Sequence, residues 1–267
     1  MNLCMKTRLP PVLLSFLACI SAPLAAQSLL LHYNFDRITG STVPDLSGNR
    51  HDGQLEGTTK AGVPGSGPSG RSGDIALDNS AARMGEKIKN TGGAVRLRQG
   101  FGPLASFTYA CWFRTDGLQS LSDLTRLLDF TGKGYDDIRV FYHHGYVRLD
   151  IGETTRVING THGLTDRQGE WVFFVITYDG TQTRDNVRFY IGSATIPLVR
   201  TATTSSDKGV INWGDSNCIL SFGSDHINAR SIDGWLDNIR IYGDRSGSGG
   251  ALTGTALQKL MVADLDR

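Results

Sequence analysis

Apolar and polar positions alternate along most of the chain, in short runs bounded by Gly, Asp, Asn and Ser. This is the pattern of half-buried antiparallel strands. The clear runs are Leu29 to Phe35, Ser106 to Arg114, Thr125 to Phe130, Ile138 to Tyr142, Tyr146 to Ile151, Trp171 to Tyr178, Val187 to Ile191, Cys218 to Phe222 and Trp235 to Tyr242. In the second of these, Phe107, Tyr109, Cys111 and Phe113 share one face, and Thr108, Ala110, Trp112 and Arg114 share the other. Only the tail has helical spacing: Leu257, Leu260 and Met261 recur at i, i+3 and i+4, with Thr253 or Thr255 as the cap. Many short strands separated by turn signals predict an all-β fold, a two-sheet antiparallel jelly-roll sandwich with a short C-terminal helix. Gly62 to Gly73, rich in Gly, Ser and Pro, reads as a surface loop, with flexibility a further option.

The first 26 residues break this pattern. Lys6 and Arg8 precede the apolar run Val12 to Ile20, and small residues follow as far as Ala25-Ala26. A charged start, a short apolar middle and a small-residue exit predict a secretory signal over residues 1–26, with residues 27–267 forming one exported domain, extracellular or periplasmic. The run falls short of the about 20 residues that span a bilayer, and no later segment is long and apolar enough. A minor alternative reads Leu17-Ala18-Cys19 as a lipoprotein cleavage site that anchors Cys19. Once Cys4 and Cys19 leave with the signal, Cys111 and Cys218 remain. Export permits a disulfide between them, whereas burial in neighbouring strands would leave two thiols.

Charge narrows the function. The 27 basic residues nearly cancel the 26 acidic ones, so the chain lacks the basic excess of a nucleic-acid binder. A hydrophobic content of 39% excludes a disordered chain. Catalytic signatures are missing: there is no Gly-x-Ser-x-Gly elbow and no His-Glu-x-x-His helix. Gly65-Ser66-Gly67-Pro68-Ser69-Gly70 spells the dinucleotide fingerprint but has neither a strand before it nor a helix after it. His143 and His144 are adjacent, so on a strand they point to opposite faces and cannot share a metal. Among the acidic residues only Glu56, Glu86, Glu153 and Glu170 are Glu, and no closely spaced Glu-x-Asp-x-Glu strand supplies the carboxyl pair of a glycosidase.

Asp dominates the acidic residues, and Asp both organises turns and offers hard oxygen ligands. The densest cluster is Asp45-Leu46-Ser47-Gly48-Asn49-Arg50-His51-Asp52-Gly53. Arg50 stands where a helical calcium loop needs Gly, so Asp45 is expected to bond forward to the backbone while Gly48 or Asn49 takes positive φ.

These residues carry a resemblance. Leu31-His32-Tyr33-Asn34-Phe35-Asp36, Asp45 to Asn49 and His51-Asp52-Gly53 resemble the opening of a laminin-G-like (LamG) jelly roll. So do Ser106 to Phe113, Glu170 to Gly180, Phe222-Gly223 and Gly234-Trp235-Leu236-Asp237-Asn238-Ile239-Arg240-Ile241-Tyr242, in the right order. The resemblance implies a concanavalin A-like sandwich whose first and last strands lie together. It also implies calcium near the opening loop, held by Asp36, Asn49 and Asp237. The long Gly62 to Gly73 stretch departs from the family pattern.

Lectin-like sandwiches recognise sugars by stacking on aromatics and hydrogen-bonding hydroxyls. The candidates are Tyr135, Asp136, Asp137, Tyr142, His143 and His144 around one hairpin, and Trp213 with His226 near another, with core burial the plain alternative for Tyr142 and Trp213. The leading expectation is a secreted non-catalytic module that binds extracellular carbohydrate or a surface protein, stabilised by calcium. The alternatives are a polysaccharide-degrading hydrolase or lyase on the same sandwich, and a structural envelope component.

Overall fold

The computed structural model describes residues 28–81, 90–115, 125–132, 137–143, 146–152, 155–159 and 167–267. The signal segment and Cys19 lie outside them, as do Tyr135, Asp136, His144 and the side chain of His143.

The alternating runs become strands. In chain order they are β1 (Ser28–Tyr33), β2 (Thr42–Val43), β3 (Gly53–Gly57), β4 (Lys60–Ala61), β5 (Leu77–Asp78), β6 (Gly93–Leu97), β7 (Pro103–Leu104), β8 (Ser106–Thr115) and β9 (Thr125–Thr131). There follow β10 (Ile138–His143), β11 (Tyr146–Ile151), β12 (Thr155–Asn159), β13 (Val172–Asp179), β14 (Val187–Gly192), β15 (Val199–Thr204), β16 (Ile211–Asn212), β17 (Ile219–Phe222) and β18 (Gly234–Asp244). The helix α1 (Gly254–Leu265) closes the chain, capped by the Thr253 side chain, which accepts from the Ala256 N–H.

Two antiparallel sheets face each other. The first runs β15-β14-β13-β8-β18-β5-β4, with β1 also pairing β18; the second runs β12-β11-β10-β9-β17-β6-β3-β2, and β7 with β16 forms a short ribbon. The core between the sheets collects Phe107, Tyr109, Cys111 and Phe113 from β8 and Leu128, Phe130, Leu220 and Phe222 from the second sheet. Ala110 and Trp112, on the other face of β8, pack with Phe173, Leu257 and Met261 beneath α1. Both faces of β8 are thus buried, as the face assignment from alternation requires once a helix covers the outer side.

Burial corrects one expectation. Cys111 and Cys218 are both buried and both free, so no disulfide joins them. Cys111 lies in the middle of β8, opposite Phe174, whereas Cys218 leads into the second sheet with its Sγ against the Asp215 carbonyl. Burial raises the Cys111 thiol to about 12 and that of Cys218 to about 11. The Gly62 to Gly73 stretch is a surface loop, as expected, closed by hydrogen bonds at its own foot. Gly62 N–H donates to the Ala76 carbonyl, Gly67 N–H to the Asp74 carbonyl and Ser69 N–H to Asp74 Oδ2 at 2.7 Å.

Candidate functional site

With α1 packed over Trp112 and Phe173 of the first sheet, the rim of the sandwich and the outer face of the second sheet offer open surface. At the rim, three loops and the residue after β18 enclose a cleft of about 600 Å³, within the range of ligand pockets. Asn49 and His51 line it from the Asp-rich turn, Gln99 and Phe101 from the loop after β6, Asp215 from the loop before β17, and Arg245 from beyond β18.

Local chemistry fixes each wall. Asp45 Oδ1 accepts from the N–H groups of His32 and Ser47, and Oδ2 from the Ser47 hydroxyl and the His51 N–H. Burial opposes charge on Asp45, but these hydrogen bonds outweigh it and hold the carboxyl below the usual range. Gly48 takes positive φ, and so does Arg50 rather than Asn49. The second and third walls are zipped together by backbone bonds: Gly100 N–H to the Asp215 carbonyl, Phe101 N–H to that of Trp213 and Gly102 N–H to that of Gly214. Glycine is required here, because a Cβ on Gly100 would stand 1.8 Å from the Trp213 carbonyl oxygen.

His51 is oriented from both sides. Its Nδ1 lies 2.9 Å from the Leu30 carbonyl, an acceptor only, so in the neutral ring Nδ1 carries the proton. Nε2 then accepts from Gln99 Nε2 at 3.1 Å. Phe101 packs against the imidazole with ring centroids 5.3 Å apart. The cleft therefore offers imidazole, carboxamide, carboxylate and guanidinium groups on a frame that is already ordered, the equipment for binding a hydroxyl-rich ligand.

The aromatic residues proposed for stacking are elsewhere. Trp213 is fully buried among Phe101, Phe107 and Phe130, and Tyr142 is 3% exposed in the inter-sheet core, so neither presents a ring to a sugar. Both sit on the core side of their segments, where ring burial outweighs the value of an exposed polar tip. His226 is half exposed, with Nδ1 3.6 Å from Asp129 Oδ2, and hydrogen bonding to Asp129 raises its pKa.

Asp129 belongs to a charged row. Gln54, Arg96, Ser221, Asp129, Arg139 and Asp150 fall in register across β3, β6, β17, β9, β10 and β11, on the outer face of the second sheet. The carboxylates with partners on this face are met by guanidinium groups. Asp129 faces Arg126 at 3.3 Å and Arg139 at 3.6 Å, Glu56 faces Arg96 and Arg98, and Asp137 faces Arg139. Asp129, Arg96 and Arg126 are all buried. Asp129, Glu56 and Asp137 are thus each paired with arginines, and Asp129 also faces His226.

The residues proposed for calcium divide. Asp36 and Asp237 come together, bridged by Arg267: Nη1 lies 3.5 Å from Asp36 Oδ2, and Nη2 lies 3.9 Å from Asp237 Oδ2. Asn49 is at the other end of β1, where its Nδ2 donates to the Leu29 and Leu30 carbonyls, so it cannot join them. Asp74, which the sequence did not single out, completes the group at 3.2 Å from Arg267 Nη2. Burial, reinforced by Asp74, pushes the pKa of fully buried Asp237 well up, and burial also raises that of Asp36. Three hard carboxylates suit calcium in kind. In spacing they do not: among the described residues no three such groups stand close enough to share a metal ion.

The model of the Laminin_G_3 family, described as the concanavalin A-like lectin/glucanases superfamily, matches residues 89–246. Comparison with curated proteins returns no match. Among solved structures, domain 4 of AbnA, a GH43 extracellular arabinanase from Geobacillus stearothermophilus in complex with arabinotriose, is similar at TM-score 0.55 and 18% identity, over 88% of this chain and 98% of that one. The binding domain of Paraclostridial Mosquitocidal Protein 1 is similar at TM-score 0.55 and 15% identity, over 88% of this chain and 52% of that one. The Trypanosoma rangeli sialidase in complex with sialic acid is similar at TM-score 0.53 and 13% identity, over 88% of this chain and 33% of that one. The chain thus spans nearly all of the arabinanase domain, about half of the toxin domain and a third of the sialidase. At these identities the likeness concerns the fold, and the family match covers more than half the sequence: the chain belongs to the concanavalin A-like lectin/glucanases superfamily.

Proposed function

We propose that the protein is an exported, non-catalytic module that binds extracellular glycan, with the rim cleft as its sugar site. The observation that carries this reading is the preorganised set of Asn49, His51, Gln99, Asp215 and Arg245 around a cleft of about 600 Å³. Planar amide, carboxylate and guanidinium groups match vicinal hydroxyls, and ordered walls reduce the entropy lost on binding. The arabinanase domain found with arabinotriose, similar over its whole length, supports recognition on this fold. Export follows from the residue 1–26 signal.

Polysaccharide degradation is the second reading, favoured by His226, Asp129, Arg126 and Arg139 lying together on the second sheet. The arginine pairing of the carboxylates weighs against it.

A glycan array probed with the wild-type chain, in calcium and in chelator, tests the proposal. Reproducible binding that Gln99→Ala abolishes without lowering the melting temperature is the expected result. Release of reducing ends from any polysaccharide would overturn the non-catalytic assignment.

A further inference from the structure

We infer that Arg114, held between Trp171 and Trp235 on the outer face of the first sheet, is a second saccharide site that takes the carboxylate of a uronate-bearing glycan. The inference takes its class of ligand from the glycan reading above and uses none of the cleft residues.

Strand register builds the site. Trp171, immediately before β13, extends the pairing in which Val172 lies opposite Phe113, and so stands beside Arg114 of β8. Trp235 of β18 lies opposite Arg114 and, on its other side, opposite Asp78 of β5, which in turn pairs with Lys60 of β4. The neighbours Phe113, Val172, Leu236 and Leu77 all point into the core, so alternation sends this row to the face that carries α1. Of the row, Trp171 packs against the cluster beneath α1. Arg114, Trp171 and Trp235 all keep part of their surface open to solvent.

The guanidinium carbon lies over both rings, 4.0 Å from the Trp235 centroid and 5.5 Å from that of Trp171. Stacking engages the faces of a guanidinium and leaves its in-plane N–H donors free to meet a carboxylate two at a time. Arg96, Arg126, Arg139 and Arg240 each face a carboxylate of the protein. Arg114 differs: among the described residues it has no hydrogen bond and no ion pair, and the indole N–H groups of Trp171 and Trp235 have no acceptor. The carboxylate of the row, Asp78, is engaged elsewhere. It accepts from Ser80 N–H at 2.9 Å and the Ser80 hydroxyl at 2.6 Å and faces Lys60 Nζ at 3.5 Å.

The unused polar groups of the site are therefore all donors, and apolar ring surface flanks them. A uronate matches both features, with a planar carboxylate for the fork and a pyranose C–H face for an indole. Trp171 and Trp235 sit one strand to either side of Arg114, roughly 10 Å apart, so a sugar chain laid across the strands meets both rings with a carboxylate between them. An aspartate or glutamate side chain would satisfy the fork but bring no ring to the indoles. Trp235 lies near the start of β18 and Arg245 follows its end, so roughly 30 Å of strand separates this site from the cleft.

Calorimetric titration of the wild-type chain with oligomers of galacturonate, glucuronate and mannuronate, each beside its methyl ester, tests the site. At least one acid is expected to bind at least about tenfold more tightly than its ester, the worth of one charge-assisted hydrogen bond. Arg114→Gln should reduce the acid to the level of the ester, and Arg114→Lys, which keeps the charge without the fork, should recover only part. Tryptophan fluorescence should respond to the acid in the wild type and not in Arg114→Gln, and Gln99→Ala should leave this binding unchanged. No affinity for any of the three acids, or equal affinity of wild type and Arg114→Gln, would overturn the site and leave the cleft reading standing. A sulfated neutral oligosaccharide or an acidic peptide that binds through Arg114 as tightly as the acids would rule out the uronate assignment. If Gln99→Ala weakens no glycan while Arg114→Gln still abolishes acid binding, the cleft reading fails and this site stands.

Discussion

Arg240 and Asp264 form a buried two-pronged ion pair, Nη1 to Oδ2 at 2.8 Å and Nη2 to Oδ1 at 2.5 Å, that fastens α1 to β18. The Trp112 indole N–H donates to the same Oδ2 at 2.9 Å, so one carboxylate satisfies a guanidinium and a ring from two strands. Removing the acid strands a charge in the interior, the costly half of breaking a buried pair. Asp264→Ala is expected to lower unfolding stability by about 3–5 kcal/mol, read as a shift of the urea midpoint. A change below about 1 kcal/mol would mean that water reaches the pair.

The helix shows what the sequence could and could not convey. Its existence and the apolar stripe Leu257, Leu260 and Met261 were legible from spacing alone, whereas the cap was left between Thr253 and Thr255 until the structure chose Thr253. Asp264 was not legible, because charged residues near a helix end normally face water, and only the placement of α1 on β8 and β18 turns it inward. The cleft was opaque for a similar reason: Gln99, Asp215 and Arg245 lie far apart in sequence, and sheet topology alone unites them. Alternation likewise identifies two faces of a strand without saying which one a second sheet will cover, and that uncertainty put Tyr142 forward as a ligand group.

His32 gives stability a pH dependence. Burial, with help from the Arg240 charge, lowers its pKa from 6.5 to about 4, while its ring nitrogen bonds Asn238 Oδ1 at 3.0 Å. Between these values the unfolded chain binds the proton and the folded one does not. Stability from this group therefore falls as pH drops from 6.5 toward 4 and levels off below. The loss is on the order of 3 kcal/mol. Asp237, with its raised pKa, acts in the opposite sense in acid, so the comparison must be made against His32→Gln, whose pH profile should lack this loss. Parallel profiles for the two proteins would refute the assignment.

Gly100→Ala tests the cleft frame. The added methyl meets the Trp213 carbonyl, so the loops after β6 and before β17 must separate. A melting temperature lower by several degrees is expected, from a cost of about 1–3 kcal/mol typical of overpacking. Glycan binding should vanish even where the folded state persists, and retention of full affinity would show that sugar is held elsewhere.

Arg245→Gln tests the cleft as a site rather than as a scaffold. Arg245 is exposed, so its loss should leave the melting temperature within about 1 °C, as for most surface changes. Any glycan identified on the array should bind at least about tenfold more weakly, the worth of one charged hydrogen bond. Surface plasmon resonance on the two proteins would decide it.

The pairing of β1 with β18, His32 opposite Arg240 and Leu29 opposite Tyr242, has a kinetic side. β18 is also the partner of β8 along most of its length. The ladder at the centre of the first sheet therefore cannot close until the ribosome has delivered almost the entire polypeptide. Contacts so distant in sequence make folding slow, because large loops must be closed before any reward is gained. Under the export proposed above, this delay is protective, since the sandwich cannot lock before translocation is under way.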